Sequence, residues 1–145
     1  MVAIKSLMLR NGDLVVGTTG HQVVEGTQKI RQDLALALGE PYGDDRFHPS
    51  WGSMLPNYIG DTATEETRAL VISETARVLQ AYVDSQATDV LQDSLAASRS
   101  RYATADVVRQ VNAIDATLSM DAIQLKVSLT TQAGQDVVLS RTVTL

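Results

Sequence analysis

A chain of 145 residues with 44% apolar side chains is long enough for one domain with a buried core, read here as residues 1–145, and it is not disordered by composition. Its net charge of −5 comes without any basic stripe, the densest spot being Arg99-Ser100-Arg101, which disfavours nucleic-acid binding through phosphate neutralisation. The absence of cysteine excludes disulfides and thiolate chemistry, and no segment reaches the ~18 uninterrupted apolar residues of a membrane span.

With one Trp, one Phe and four Tyr, the core has to be built from Val, Leu, Ile and Ala. The opening Met-Val-Ala-Ile-Lys-Ser-Leu-Met-Leu-Arg reads as a strand, not a signal peptide, because an Asn-Gly turn follows a short apolar run. Asn11-Gly12, between Leu7-Met8-Leu9 and Leu14-Val15-Val16, supplies the two positive-φ positions of a type I′ turn and predicts an N-terminal hairpin. Thr27 is an N-cap candidate for a helix whose apolar face is Ile30, Leu34 and Leu38, with Gly39 as its stop. Residues 40–53 carry Gly, Pro and mixed charge and read as a loop.

Thr62-x-x-Glu65 is a capping box ahead of Ala69, Ile72, Ala76, Leu79 and Val83, which predicts an amphipathic helix over residues 64–85. A second helix is expected over 88–97, a polar linker over 98–103, and a short helix capped by Thr104 carrying Val107, Val108 and Val111. The period then falls to two. Ile114, Ala116, Leu118 and Met120 alternate with polar residues, as do Ile123, Leu125, Val127 and Leu129, and Val137, Leu139, Val143 and Leu145 follow a turn at 132–135. The predicted class is α+β: an N-terminal hairpin, amphipathic helices and a C-terminal three-stranded antiparallel meander with one buried face. No internal repeat is visible.

Catalytic constellations are sparse. Glu40 with Asp44 or Asp45 is a carboxylate pair of the type glycoside hydrolysis needs, but all three sit in one polar loop, where solvation or an ion pair such as Glu40 with Arg46 is the simpler reading. His21 and His48 lack carboxylates at ligand spacing, so no metal is expected. Ser50 and Ser53 lie near His48 without a nucleophile elbow, and Gly12, Gly17 and Gly20 precede no phosphate-binding Gly-Lys-Ser/Thr. The chain is therefore expected to be no enzyme and to use no cofactor. The last strand runs to Leu145, and an open edge there would be a template for strand addition; completing the core is the other reading. Arg141 falls on the apolar face of that strand, a device that blunts promiscuous edge pairing.

One ordered pattern stands out. Gly12-Asp13 and Gly26 lead to Ile30-Arg31-Gln32-Asp33-Leu34, then Gly39-Glu40, Arg46, and Pro49-x-Trp51-Gly52-Ser53-x-Leu55, before a long helix and a β-rich C-terminus. This order resembles the baseplate wedge family of contractile phage tails, once labelled lysozyme-like, whose relatives initiate the sheath in type VI secretion and contractile bacteriocins. The resemblance covers most of the chain, and Pro-x-aromatic-Gly-Ser is its specific part. The family's Glu-Pro-Arg after the long helix has no counterpart in residues 83–90, which assigns wedge docking to other residues here.

The resemblance implies a structural subunit of the virion tail baseplate, assembled in the host cytoplasm. It would join other wedge proteins beside the tail tube or hub and present strands that sheath protein extends, with neither nucleic acid nor membrane as partner. Two partner-binding surfaces are expected: the loop with Glu40, Arg46, Pro49, Trp51 and Gly52, and the final strand with Val137, Leu139, Arg141, Val143 and Leu145. Trp51 fits either a core filler or an interface anchor. Removing residues 137–145 is expected to abolish sheath assembly and leave the upstream helices folded. The alternatives are a peptidoglycan hydrolase built on Glu40 and a stand-alone peptide-binding module.

Overall fold

The computed structural model describes residues 5–96 and 101–145. Residues 1–4 of the expected opening strand, residue 97 of the expected second helix and residues 98–100 of the expected linker lie outside that range.

Six two-residue strands make the N-terminal lobe: β1 (Ser6–Leu7), β2 (Leu9–Arg10), β3 (Asp13–Leu14), β4 (Val16–Gly17), β5 (Gly20–His21) and β6 (Val23–Val24). The predicted hairpin is present as β2 and β3 around Asn11 (φ 53°) and Gly12 (φ 86°), the signs a type I′ turn requires. It is one leg of three, because β4 pairs with β5 and β6 returns to β1. Met8 N–H donates to Gln22 O (2.8 Å), Gln22 N–H to Val15 O (2.9 Å), and Val15 N–H to Met8 O (3.0 Å). These three positions recur every seven residues and close a pseudo-threefold ring. The ring is made by backbone groups of Met8, Val15 and Gln22, three different residues, so it leaves no repeat of side-chain identity at these positions.

Helix α1 (Gly26–Gly39) buries Ile30, Leu34, Ala37 and Leu38, the predicted face with Ala37 added. Its N-cap is Glu25 and not Thr27, with no side-chain cap; the Gly26 N–H is instead met by Asp106 Oδ1 at 2.7 Å. Gly39 ends the helix without a left-handed φ. Its missing side chain makes room for Arg141, whose two Nη atoms lie 3.0 Å from where a Cβ would stand.

A short 3-10 helix (Leu55–Tyr58) leads to α2 (Glu65–Leu95), a single 31-residue helix where two were expected. Thr64 is the N-cap, its hydroxyl accepting Thr67 N–H at 3.1 Å, while Thr62 contributes only its carbonyl, to Thr67 Oγ1 at 2.9 Å. The buried stripe is Thr67, Val71, Thr75, Val78, Leu79, Tyr82, Gln86 and Asp93, so Ala69 and Ala76 face solvent. Polar members made this stripe hard to see. Thr75 satisfies its hydroxyl on Val71 O (2.8 Å), and Gln86 sits where the helix was expected to break. Gln86 donates to Asp106 O (2.8 Å) and accepts Val108 N–H (3.0 Å), so its burial leaves no amide unpaired.

The short helix expected after Thr104 is absent. Residues 104–106 form a turn, and β7 (Val108–Leu118) begins where that helix was placed. β-Branched Val108 and Val111 pack better on a pleated surface than in a helix. Register shifts at Val108/Gln110 and Val111/Ala113 bend the strand. β7 pairs antiparallel with β8 (Ala122–Thr131), and β8 with β9 (Asp136–Thr144), in the order β7-β8-β9. The molecule is thus α+β with a three-stranded meander, as its periodicity predicts. The inward residues Ile123, Leu125, Val127, Leu129, Val137, Leu139 and Val143 form the core with Ile30, Leu34, Leu38, Val71 and Leu79. α1 lies over β9 and α2 over β7, leaving the opposite face of the sheet to polar side chains such as Gln124 and Lys126.

Candidate functional site

The loop between α1 and the 3-10 helix is closed at its neck by backbone bonds. Ser53 N–H reaches Glu40 O (2.8 Å), Tyr42 N–H reaches Ser53 O (2.9 Å), and Gly43 N–H reaches Trp51 O (3.2 Å). Ser53 Oγ donates to Leu38 O (2.7 Å), anchoring the neck on α1. Gly52 sits at φ +95°, and a Cβ there would lie 2.6 Å from Pro41 O and 2.7 Å from Glu40 O. The Gly-Ser of the motif is therefore a backbone crossing that a larger residue cannot make.

Trp51 is half-buried against the core and donates Nε1–H to Glu40 Oε2 (2.9 Å). That bond occupies Glu40. The suggested Glu40–Arg46 ion pair is not formed, because Arg46 and Pro49 lie exposed on the outer part of the loop. Arg77 of α2 braces the stem: its Nη2 donates to Gly52 O (3.0 Å), and its guanidinium lies 4.8 Å from the Tyr42 ring centroid. Glu74 holds Arg77 (2.6 Å) and accepts Met54 N–H (2.7 Å). Burial opposes ionisation of Glu74, but the Arg77 hydrogen bonds and the Met54 amide outweigh it and keep the carboxyl below its ordinary range.

The loop tip is fixed by Asp45, which accepts Phe47 N–H at 2.8 Å and lies 2.8 Å from His48 Nδ1. The His48 ring, then the Phe47 amide, lower the Asp45 pKa. Phe47 itself is 86% exposed and was not singled out from the sequence.

On β9 the predicted residues split by parity. The ladder bonds Leu145 N–H to Asp121 O and Thr131 N–H to Gln135 O, so odd-numbered β9 residues spend their backbone groups on β8. Val137, Leu139 and Val143 are buried beneath the helices, and Leu145 packs partly against the same core. Arg141, on the same face, donates Nη1–H to Ala35 O at 3.2 Å. A cation at the last turn of α1 complements the helix dipole, which gives this inward charge a partner within the chain.

The outward N–H and C=O groups belong to Val138, Ser140, Thr142 and Thr144, none of them among the residues expected from the sequence, because alternation separates the two sets and only the pairing with β8 says which set is left open. Among the described residues, one side chain caps this row: Arg31 Nε donates to Val138 O at 3.1 Å. The opposite edge is treated alike, Arg68 Nη1 donating to Ala116 O of β7 at 3.3 Å. Each arginine comes from the helix above its strand. Gly39 and the 3-10 helix line a cavity of about 210 Å³ with Arg141, Thr142, Val143 and Thr144, and none of Glu40, Arg46, Pro49, Trp51 and Gly52 reaches it.

No family model, curated protein or solved structure matches this chain. Among the described residues, no group of three or more His, Asp or Glu side chains is placed to hold a metal, and no helix is long and apolar enough to cross a membrane.

Proposed function

We propose that this chain is a structural baseplate wedge subunit of a contractile tail, which joins wedge proteins near the tube and starts sheath polymerisation by strand addition. The observation that carries the reading is the outward row of β9, where Ser140, Thr142 and Thr144 present backbone groups with no strand beyond them among the described residues. The braced motif loop supports it as a second contact, since a preorganised loop loses little entropy on docking. A hydrolase role draws no support from Glu40, whose carboxylate is held by the Trp51 indole. In this reading sheath and wedge proteins are the partners, the baseplate of the virion is the location, and no catalytic step is involved.

The test is capture of the sheath and wedge proteins of the source particle by the intact chain and by Thr142→Pro. Proline at 142 removes an outward N–H that β8 does not use, so the fold tolerates it while an added strand does not. Sheath capture lost in the variant is the expected result. Equal capture by both chains would remove the edge from the mechanism, and no sheath capture at all would overturn the initiator reading.

A further inference from the structure

We propose that Asn11 is a site of spontaneous covalent modification: it converts to aspartate and isoaspartate through a cyclic imide formed with Gly12, at a rate set by local opening of the β2–β3 hairpin. The chain has three asparagines, Asn11, Asn57 and Asn112, and only Asn11 precedes a glycine. Asn57 precedes Tyr58, and its amide reaches Met54 Sδ at 3.7 Å. Asn112 precedes Ala113; its amide donates to Thr130 Oγ1 (2.8 Å) and accepts from Gln110 Nε2 (2.8 Å). Among the described residues, neither the Asn11 amide nor the Gly12 N–H has a hydrogen-bond partner, and both residues are exposed. Apart from the flanking residues, no atom lies within 4 Å of where a Gly12 Cβ would stand.

The reaction needs only water. The Gly12 nitrogen loses its proton and attacks Asn11 Cγ, and the new N–C bond closes a five-membered imide. The side-chain nitrogen of Asn11 leaves as ammonia, taking up the equivalent of the proton that Gly12 gave up. Water then opens the imide at either carbonyl. Attack at Cγ returns the normal chain with aspartate at position 11, and attack at the backbone carbonyl routes the chain through the side chain as isoaspartate. Glycine favours the first step because it carries no β-carbon to crowd the attacking nitrogen.

The folded turn resists ring closure. Asn11 has φ 53°, and a left-handed residue, with ψ of about +47°, sets its Cβ and the next nitrogen on opposite sides of the Cα–C bond. The imide needs them on the same side, so that bond must rotate and the type I′ turn must open. The hairpin that opens is small, since β2 and β3 pair only Leu9 with Leu14 and Arg10 with Asp13. Its clamp on α1 is Gln32, which accepts Leu9 N–H (2.8 Å) and donates to Leu7 O (2.8 Å). Opening this leg exposes none of the core under the helices and costs less than unfolding. The change is one-way. Isoaspartate adds a methylene to the main chain, so a two-residue turn no longer joins Arg10 to Asp13 in register. Either product also puts a carboxylate on the cleft of about 470 Å³ that Asn11 lines together with Arg31.

The test is a time course of the full chain in warm, mildly alkaline buffer, digested at intervals and read by mass spectrometry for the amide-to-acid mass gain, with isoaspartate located by electron-transfer fragmentation. Conversion at residue 11 should run about tenfold faster than at Asn57 or Asn112. In guanidinium chloride sufficient to unfold the chain, Asn11 should react about tenfold faster than in the folded protein, because the turn no longer holds its Cα–C bond. Gln32→Leu, which removes the clamp on Leu7 and Leu9, should speed conversion of Asn11 about threefold and leave Asn57 and Asn112 as they were.

No conversion of the folded chain at residue 11, or equal rates at all three asparagines, overturns the modification site. A rate at Asn11 that is the same folded and unfolded, or that ignores Gln32→Leu, overturns the gating by hairpin opening. If Gln32→Leu does not melt cooperatively, the comparison of folded and unfolded intact chain decides the gating without it.

Discussion

Gly52 and Gly60 have nearly the same φ, +95° and +93°, yet only Gly52 has backbone oxygens within 3 Å of a prospective Cβ. Gly60→Ala should therefore cost only the left-handed strain, about 1 kcal/mol, whereas Gly52→Ala adds a clash that the loop neck cannot relieve and should cost about 3 kcal/mol in urea unfolding. Glu74 offers a pH test. Its folded-state pKa is depressed, so it contributes stability above the unfolded value of 4.5 and loses it as pH falls through the lower folded value. Glu74→Gln should lower stability near neutral pH and flatten the decline below about pH 4.5 that the intact chain shows. At this scale the motif was legible as residue identities. Its role as a closed neck was not, because a crossing of two backbone segments leaves no periodic trace.

The elements were legible where one apolar period persists, as in Ile30, Leu34 and Leu38 or in Ile123 to Leu129. Elsewhere polar residues carried buried positions. Gln86 looked like a helix break and is instead the clamp between α2 and the start of β7, so Gln86→Leu, although more apolar, should destabilise by about 2 kcal/mol in thermal or urea unfolding by orphaning Val108 N–H and Asp106 O. The two edge strands are guarded by Arg31 and Arg68 from the overlying helices. Replacing both with Met should uncover Val138 O and Ala116 O and raise concentration-dependent association, read by sedimentation velocity.

For the whole molecule, β9 is both edge and core. Val137 is 0% exposed and Val143 5%, and α1 packs directly on this strand. Removing residues 137–145 should thus abolish the cooperative melt of the entire domain and not leave the helices folded, as circular dichroism on heating would show. For the same reason truncation cannot separate a docking role from a packing role, and a change confined to an outward group, such as Thr142→Pro, can.

Composition, the fall from a helical to a two-residue period, and Asn11-Gly12 determined by themselves an α+β chain with a C-terminal meander and a hairpin near its start. These are local signals, set by how successive side chains divide between water and core. Tertiary structure alone decided the continuity of α2, the pseudo-threefold lobe, the Asp106 bond to Gly26, and which half of β9 faces outward. Each depends on a hydrogen bond between residues distant in sequence, as Gly26 and Asp106 are, or on which neighbour a strand has already paired with.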